Sequence, residues 1–433
     1  MSSNARALIV VAARSGSGKT ILTIGLQRAL RRRGFRVAGV KTGPDYIDPS
    51  FHAAACGRAS VNLDGFAMAP ETVLGLAACA GEGADLVIGE GAMGLFDGAA
   101  GAGRSGATAD VARLLGWPVL LVLDAESAAQ TLAAVAHGLA TFPRAPDIAG
   151  VIVNRVASER HGRMIREGFV RIDLPLLGLI PRDGRLALPS RHLGLVQATE
   201  TAGLDDLIGA MADLVDVHCD VDAIEALAAP VTPSPGFSRV PPPGQRIAVA
   251  HDAAFGFLYP HLVEGWRRAG AEIAFFSPLA DEPPPADCDV CWLPGGYPEL
   301  HGARIASNGR FLDGLRLFAE TRPVHGECGG YMVLGRAIED ADGVSHAMAG
   351  LLPIETSFAR RRLHLGYRQL SWRSDMPFAR RGSINIGHEY HHATLTSTEG
   401  EPLADAVDAE GTAIGPMGSR VGRVTGSFFH LIA

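Results

Sequence analysis

The sequence predicts an α/β protein of two domains, a doubly wound parallel sheet followed by a second α/β domain. Three observations carry this. Short apolar runs alternate with Ala- and Leu-rich stretches in each half. A segment dense in Pro, Ser and Gly separates the halves. Glycine is abundant, at 53 of 433 residues, while aromatics are 6%, which suits many tight strand-to-helix turns. At roughly 100–200 residues per domain, the length fits two or three domains.

In the first half the apolar runs are "ALIVVAA", "RVAGVKT", "DLVIGE", "PVLLVLDA", "IAGVIVNR" and "LPLLGLIPR". Near-continuous apolar strands belong to a parallel sheet covered on both faces. Function in such sheets sits beyond the carboxyl ends of the strands. The segment 229–246, "APVTPSPGFSRVPPPGQR", is too rich in Pro for a helix or an inner strand and reads as a linker. It divides a domain over 1–228 from a domain over 247–433. There the rhythm restarts with "RIAVAHDA", "EIAFFSP", "VCWLPGG" and "PVHGECGG", and the chain turns more β-like from about Leu351.

Residues 13–20 read "ARSGSGKT" between the first strand and a helix that ends near Gly34, with Arg31–Arg33 in its last turn. Arginines suit the negative end of the helix dipole, and Gly34 suits the cap. A phosphate-binding loop needs this arrangement. Backbone N–H groups around Gly16, Ser17 and Gly18 hold phosphate oxygens at a helix N-terminus, Lys19 reaches the β/γ-phosphates, and the Thr20 hydroxyl serves magnesium. Ala13 stands where the usual pattern has Gly, a small-for-small exchange.

The second strand runs into "VKTGPDYIDPSFH", which clusters Lys41, Asp45 and Asp48. The strand ending in "GEGAMGLFDG" puts Glu90 at its carboxyl end and Asp97 a little beyond. Magnesium takes carboxylates together with phosphate oxygens and water, so Asp48 and Glu90 are the candidate metal ligands beside Thr20. Loop-capping acids are the ordinary alternative for such residues. Lys41 joins the nucleotide candidates. Asn154, closing "AGVIVN", is a candidate for reading an adenine edge, on its strand-end position alone.

The second half carries "RPVHGECGGYMVLG" at 322–335. A strand runs into Cys328, and Gly329–Gly330 open a helix. This is the pattern of a nucleophile elbow, with the helix dipole favouring thiolate. His430, at the end of "GSFFH", is the candidate base. Gly295 and Gly296 of "LPGGYPEL", with Gly329, are candidate oxyanion donors. A buried structural cysteine and a satisfied core histidine are the competing readings. Cys288 and Cys291 form a C-x-x-C without two further zinc ligands in suitable positions. "GHEYHH" at 387–392 reads as substrate-carboxylate binding or solvated surface rather than a metal cluster. Arg360–Arg362 read as a solvated face or an attractor of polyanions.

Several classes are excluded. The net charge of −7 offers no basic face for nucleic acid. No signal peptide pattern and no apolar run of about 18 residues is present, so no membrane partner is expected. Six cysteines without a disulfide framework point to a reducing, cytoplasmic setting.

Taken together, "SGSGKT", "VKTGPDYIDP", "NLDGFAM", "EGAMGLFDG", "FFSPLADEPPP", "LPGGYPEL", "HGECGGYMVLG" and "GHEYHH" resemble the cobyrinic acid a,c-diamide synthase family of cobalamin biosynthesis, including its hydrogenobyrinic acid branch. The first half is similar to dethiobiotin synthetase and the second to class I glutamine amidotransferases. The resemblance implies an ATP- and magnesium-dependent ligase. A peripheral acetate of a corrinoid (tetrapyrrole) acid becomes an acyl phosphate, and ammonia from L-glutamine displaces the phosphate, at side chains c and a. It implies Asp45, Asp48 and Glu90 at the nucleotide, metal or substrate carboxylate, Cys328 as nucleophile and His430 as its activator; Asp97 is a candidate for substrate or catalytic support on its position alone. The wider glutaminase class has an acid two positions after the histidine. Here that position is Ile432, so a Cys–His dyad is expected. A homodimer is one assembly to expect. Nickel-sirohydrochlorin a,c-diamide synthase remains an alternative. From another class, so does a regulatory phosphate-loop ATPase with an inactive glutaminase half, although its signature lysine is replaced by Arg14.

Overall fold

The computed structural model describes residues 4–100, 104–184, 190–191, 194–234 and 240–433. The chain divides into two compact units, Met1–Ser238 and Arg239–Ala433.

The first unit alternates strand and helix. Its strands are β1 (Arg6–Ala12), β2 (Val37–Thr42), β3 (Val61–Leu63), β4 (Leu86–Glu90), β5 (Val119–Asp124), β6 (Ile148–Val156) and β7 (Leu176–Pro181). They run parallel in the order β3-β2-β4-β1-β5-β6-β7. Burial on both faces explains their apolar runs. Leu8, Val10 and Ala12 share a core with Leu22, Leu26, Ala212 and Val215, while Ile9 and Val11 are buried between them in sequence. Helix α1 (Lys19–Arg32) packs closely on the helix Leu204–His218, because Gly25 has no side chain to meet the Met211 carbonyl. Arg32 and Arg33 reach Asp213 and Asp216 at 2.5 and 2.9 Å. These are exposed pairs, each worth at most about 1 kcal/mol.

One expectation is corrected. Ala229 and Pro230, expected in a linker unable to join an inner strand, pair antiparallel with Ala7 and Arg6 of β1. Proline is tolerated because this pairing is two residues long, beneath the point where β5 takes over beside Ile9. The Val231 N–H donates to the Ala5 carbonyl at 2.8 Å and continues the ladder.

The second unit holds a six-stranded sheet in the order Glu272–Phe276, Arg246–Ala250, Val290–Leu293, Val324–Glu327, Val424–Ser427, Ser419–Val421. The first five strands are parallel and the last is antiparallel. Beyond Leu351 the chain is mostly strand, as its composition suggests. A five-stranded antiparallel sheet forms in the order Ala413–Met417, Ala404–Asp408, His364–Trp372, Ile384–His391, Phe429–Leu431. The chain leaves the six-stranded sheet at Ser427 and enters the antiparallel sheet at Phe429. That one-residue corner carries His430 into place. Among the described residues, no helix is long and apolar enough to cross a membrane.

Candidate functional site

The loop after β1 turns through Gly16 and Gly18 at φ +77° and +92°, where a side chain would be strained. Gly18 is further required because a Cβ there would overlap the Asn154 amide. That amide donates to the Ser17 carbonyl at 2.9 Å, so β6 braces the loop. Arg14 pairs with Asp124 at 2.8 Å, and Asp124 also holds Arg155 at 2.7 Å. Lys19 Nζ donates to the Met93 carbonyl at 2.5 Å. Burial, then the neighbouring charge of Lys41, holds the Lys19 amine below its ordinary pKa. A cavity of about 370 Å³ opens beside Gly18, Asn154, Arg155, Pro181 and Arg182.

Strand register builds the next layer, since Lys41 of β2 lies directly beside Glu90 of β4. Lys41 Nζ donates to Asp48 Oδ2 at 2.5 Å and to Glu90 Oε1 at 2.9 Å. Glu90 Oε1 accepts from Thr20 Oγ1 at 2.7 Å, and its Oε2 faces His52 Nε2 at 2.8 Å. All four of Lys41, Asp48, His52 and Glu90 are buried. Burial alone would lower the Lys41 pKa, but the charges of Asp48 and Glu90 outweigh it and raise the value. Burial pushes Glu90 up, yet Lys41 and the His52 hydrogen bond hold it well below the carboxylate range. Burial, then the charge of Asp45, raises Asp48 well above that range despite Lys41. The Lys41 ammonium is thus matched by the Glu90 carboxylate, while Asp48 favours its protonated form. A hard divalent cation would draw Asp48 into its charged form, and the oxygens of Thr20, Asp48 and Glu90 suit such an ion.

Asp45 and Asp97 organise backbone. Asp45 Oδ1 accepts from the N–H groups of Ile47 and Asp48 at 2.7 and 3.1 Å, opening the helix α2 (Asp48–Cys56). Asp97 Oδ2 accepts from Gly94 N–H at 2.9 Å, beside the Met93 carbonyl that receives Lys19.

In the second unit, Cys328 sits at φ 46°, ψ −103° between the strand Val324–Glu327 and the helix Gly329–Leu334. This is strained for a residue with a side chain. The strain is held from outside: its N–H donates to the Ser427 carbonyl at 2.8 Å and its thiol to the Tyr390 carbonyl at 3.9 Å. The flanking glycines are there for room. A Cβ on Gly330 would overlap the Leu293 carbonyl, and one on Gly329 would stand 3.0 Å from the Gly296 nitrogen. A Cβ on Gly295 would overlap His430 Cε1 and stand 3.3 Å from Cys328 Cβ. Cys328 and His430 thus flank Gly295, with Gly296 and Gly329 alongside.

Burial, then the charge of Glu299, pushes the Cys328 thiol up. Burial, then the charges of His388 and His391, pushes His430 down to about 3. The resting pair is neutral thiol and neutral imidazole. Ile432 offers no acid, and its carbonyl accepts from His261 Nε2 at 2.8 Å.

The solvated-surface reading of "GHEYHH" is corrected. His388, Glu389 and His391 are buried, because this strand lies between His364–Trp372 and Phe429–Leu431. Glu389 binds Arg368 at 2.7 Å and His391 at 2.9 Å. Among the described residues the three-ligand metal grouping is His364, Glu389 and His391. Its two imidazoles stack 3° from parallel with centroids 4.7 Å apart, and His391 Nε2 already lies 2.9 Å from Glu389 Oε1. Cys288 and Cys291 are buried and belong to the hydrophobic core.

Comparison with known proteins decides the family. Residues 8–196 match the CobQ/CobB/MinD/ParA nucleotide binding domain, and residues 246–433 match the CobB/CobQ-like glutamine amidotransferase domain. A hydrogenobyrinate a,c-diamide synthase from Rhodobacter capsulatus is 56% identical, with all of both chains covered. The chain belongs to the hydrogenobyrinate a,c-diamide synthase family. Enzymes of the same name from Mesorhizobium japonicum and Agrobacterium fabrum are 54% and 52% identical, each with 99% of both chains covered. The α/β expectation for both halves stands, as does the resemblance first read from the motifs.

Within this member of the hydrogenobyrinate a,c-diamide synthase family, sequence reasoning missed His52, the Met93 carbonyl and Glu327. His52 carried one usable signal. It lies four residues after Asp48, so both face the same side of α2. A carbonyl carries no sequence signal. Glu327 was visible as the acid before the nucleophile in "GEC".

Proposed function

We propose that this chain amidates the a and c acetate carboxylates of hydrogenobyrinic acid, using ATP and glutamine. The observation that carries the reading is full-length 56% identity to an enzyme of that name, in a chain that has both a phosphate loop and a Cys–His pair.

In the first unit, the loop around Gly16, Ser17 and Gly18 binds the phosphates of ATP, and Lys19 leaves the Met93 carbonyl for them. Magnesium would be held by Thr20, Glu90 and Asp48, and would supply charge neutralisation at the transferring phosphoryl group. A substrate carboxylate oxygen attacks the γ-phosphorus, ADP departs, and an acyl phosphate results. Lys41 keeps positive charge close to the developing anions. Asp45 and Asp97 hold the backbone that presents Asp48 and Lys19. Asn154 fixes the loop at the edge of the cavity that takes the base.

In the second unit, Cys328 loses its proton to His430 as the sulfur attacks the amide carbon of glutamine. N–H groups at Gly295, Gly296 and Gly329 are the candidate donors to the oxyanion. His430 returns the proton to the departing ammonia, and water hydrolyses the thioester to glutamate. The nitrogen lone pair of ammonia attacks the acyl carbon of the acyl phosphate, and inorganic phosphate leaves.

Cys328→Ala is expected to lose glutamine-dependent amidation and to keep activity with ammonium. The check is phosphate release and product mass with each nitrogen source. Failure of ammonium to support a folded variant would count against this division of labour. Parallel assays with hydrogenobyrinic, cobyrinic and nickel-sirohydrochlorin acids test the ring, and preference for a metal-bearing ring would replace the substrate named here.

A further inference from the structure

The angle at which His430 meets Cys328 depends on how the strand Phe429–Leu431 is held. The position that usually supplies the acid is Ile432, whose carbonyl is engaged by His261. Among the buried carboxylates of this unit, Glu389 is committed to Arg368 and His391, and Glu299 acts on Cys328 through its charge. Glu327 is placed differently. It immediately precedes Cys328, is 3% exposed, and its Oε1 accepts from the Leu431 N–H at 2.9 Å. Leu431 immediately follows His430. One side chain therefore spans from the residue before the nucleophile to the residue after the base.

The junction it closes is otherwise held by backbone pairing and by the Ser427 hydroxyl. Glu327 is in register with Ser427. The Ser427 carbonyl accepts from Cys328 N–H at 2.8 Å, and its hydroxyl oxygen accepts from Phe429 N–H at 3.2 Å. On the far side, His430 pairs with His388 and Leu431 with Gly387. A Cβ on Gly387 would overlap the His430 carbonyl, so the backbone of His430 is pressed against that strand. The corner at Phe428 is where the chain changes sheets, and sheet pairing alone cannot fix the angle between the two. A hydrogen bond from one strand end to the other can.

We infer that Glu327 is a positioning residue, setting His430 against Cys328 through the Leu431 backbone rather than through the imidazole. Its protonation state is compatible with this. Burial pushes its carboxyl up to about 8, against the pull of the Leu431 N–H, so near neutral pH it is an uncharged acceptor. An anion beside Cys328 would oppose thiolate formation, and a neutral carboxyl does not. Glutamine keeps the carbonyl acceptor and the shape; alanine keeps neither.

This inference rests on the dyad reading above, and one set of variants separates the two. Glu327→Ala, Glu327→Gln and Cys328→Ala in the full chain are compared for glutamine hydrolysis, glutamine-dependent amidation and ammonium-dependent amidation. Glu327→Ala is expected to lower kcat with glutamine about 100-fold, the scale of a small misplacement of catalytic groups. KM for glutamine and ammonium-dependent turnover should stay within about threefold, a change of under ~1 kcal/mol. Glu327→Gln should return kcat to within about threefold of the parent. Wild-type kcat in Glu327→Ala overturns the inference, as does a Gln variant as impaired as the Ala variant. Equal loss with ammonium also overturns it, since the role would then be in the fold as a whole. Glutamine hydrolysis surviving in Cys328→Ala would sink the dyad itself, whatever Glu327 does.

Discussion

His52 is fully buried and its Nε2 lies 2.8 Å from Glu90 Oε2. It leaves the other oxygen of Glu90 for Thr20 and Lys41. Gly39 makes the space, since a Cβ there would stand 2.7 Å from His52 Cβ. Removing the imidazole strands a buried carboxylate oxygen, at a cost of about 1–3 kcal/mol, and frees Glu90 to rotate. His52→Ala is expected to lower turnover roughly 10- to 100-fold with glutamine and with ammonium alike, the range seen when a ligand's support is removed. His52→Gln, which keeps a donor, should recover part of it. Steady-state rates with both nitrogen sources check this, and a defect confined to glutamine would assign His52 elsewhere. Lys41 and Glu90 were legible because ionisable residues at the ends of apolar strands stand out against their surroundings. His52 was not. A histidine among Phe51 and the alanines of a short helix looks like core, and its partner lies 38 residues away.

At the scale of elements, the strand–elbow–helix at Cys328 and the strand–loop–helix at Lys19 were readable, since each is a local pattern of glycines with one reactive side chain. What could not be read is which strands come together. The histidines of "GHEYHH" looked solvated because their burial depends on strands some 20 to 40 residues away in sequence, by the register of His388 with His430 and of His364 with His391. Pro230 looked incompatible with an inner strand, and a general rule about central strands hid a two-residue exception. Gly295 shows how one element imposes on another. Its φ is not in the left-handed region, so alanine is allowed by the backbone and refused chiefly by His430, with Cys328 Cβ a lesser obstacle at 3.3 Å. Gly295→Ala should displace that ring, destabilise the unit by about 1–3 kcal/mol and lower glutamine hydrolysis about 100-fold. Ammonium-dependent amidation should persist. Measured hydrolysis within threefold of the parent would show that the ring has somewhere else to go.

At the scale of the whole molecule, the buried histidines of the second unit set its response to pH. His261 and His388 are pushed down by burial to about 4, and His325 and His430 to about 3, from an ordinary 6.5. Each binds a proton more readily when unfolded, so its stabilising contribution is complete above about pH 6.5 and is lost as pH falls towards those values. Glu327 runs the opposite way, with its contribution complete below its ordinary 4.5 and lost as pH rises through about 8. Up to about pH 7 the four histidines, still partly protonated when unfolded, outweigh one glutamate, and above that the glutamate dominates these five groups. The thermal midpoint of the second unit should therefore peak at about pH 7 and decline on both sides, most steeply on the acid side. Glu327→Gln should flatten the alkaline decline. Calorimetry of the full chain across that range is the check, and a midpoint unchanged from pH 5 to 8 would contradict it.

The pairing of Ala229–Pro230 with β1 bears on how the two units can be separated in the laboratory. Arg6 and Ala7 have β4 on one side and this short segment on the other. A fragment cut at 228, where composition alone would place the end of the first unit, leaves the start of the strand that leads to the phosphate loop with unpaired N–H and carbonyl groups. Such an open edge invites pairing between molecules and aggregation. A fragment carried through Ser234 keeps that edge covered by its own chain.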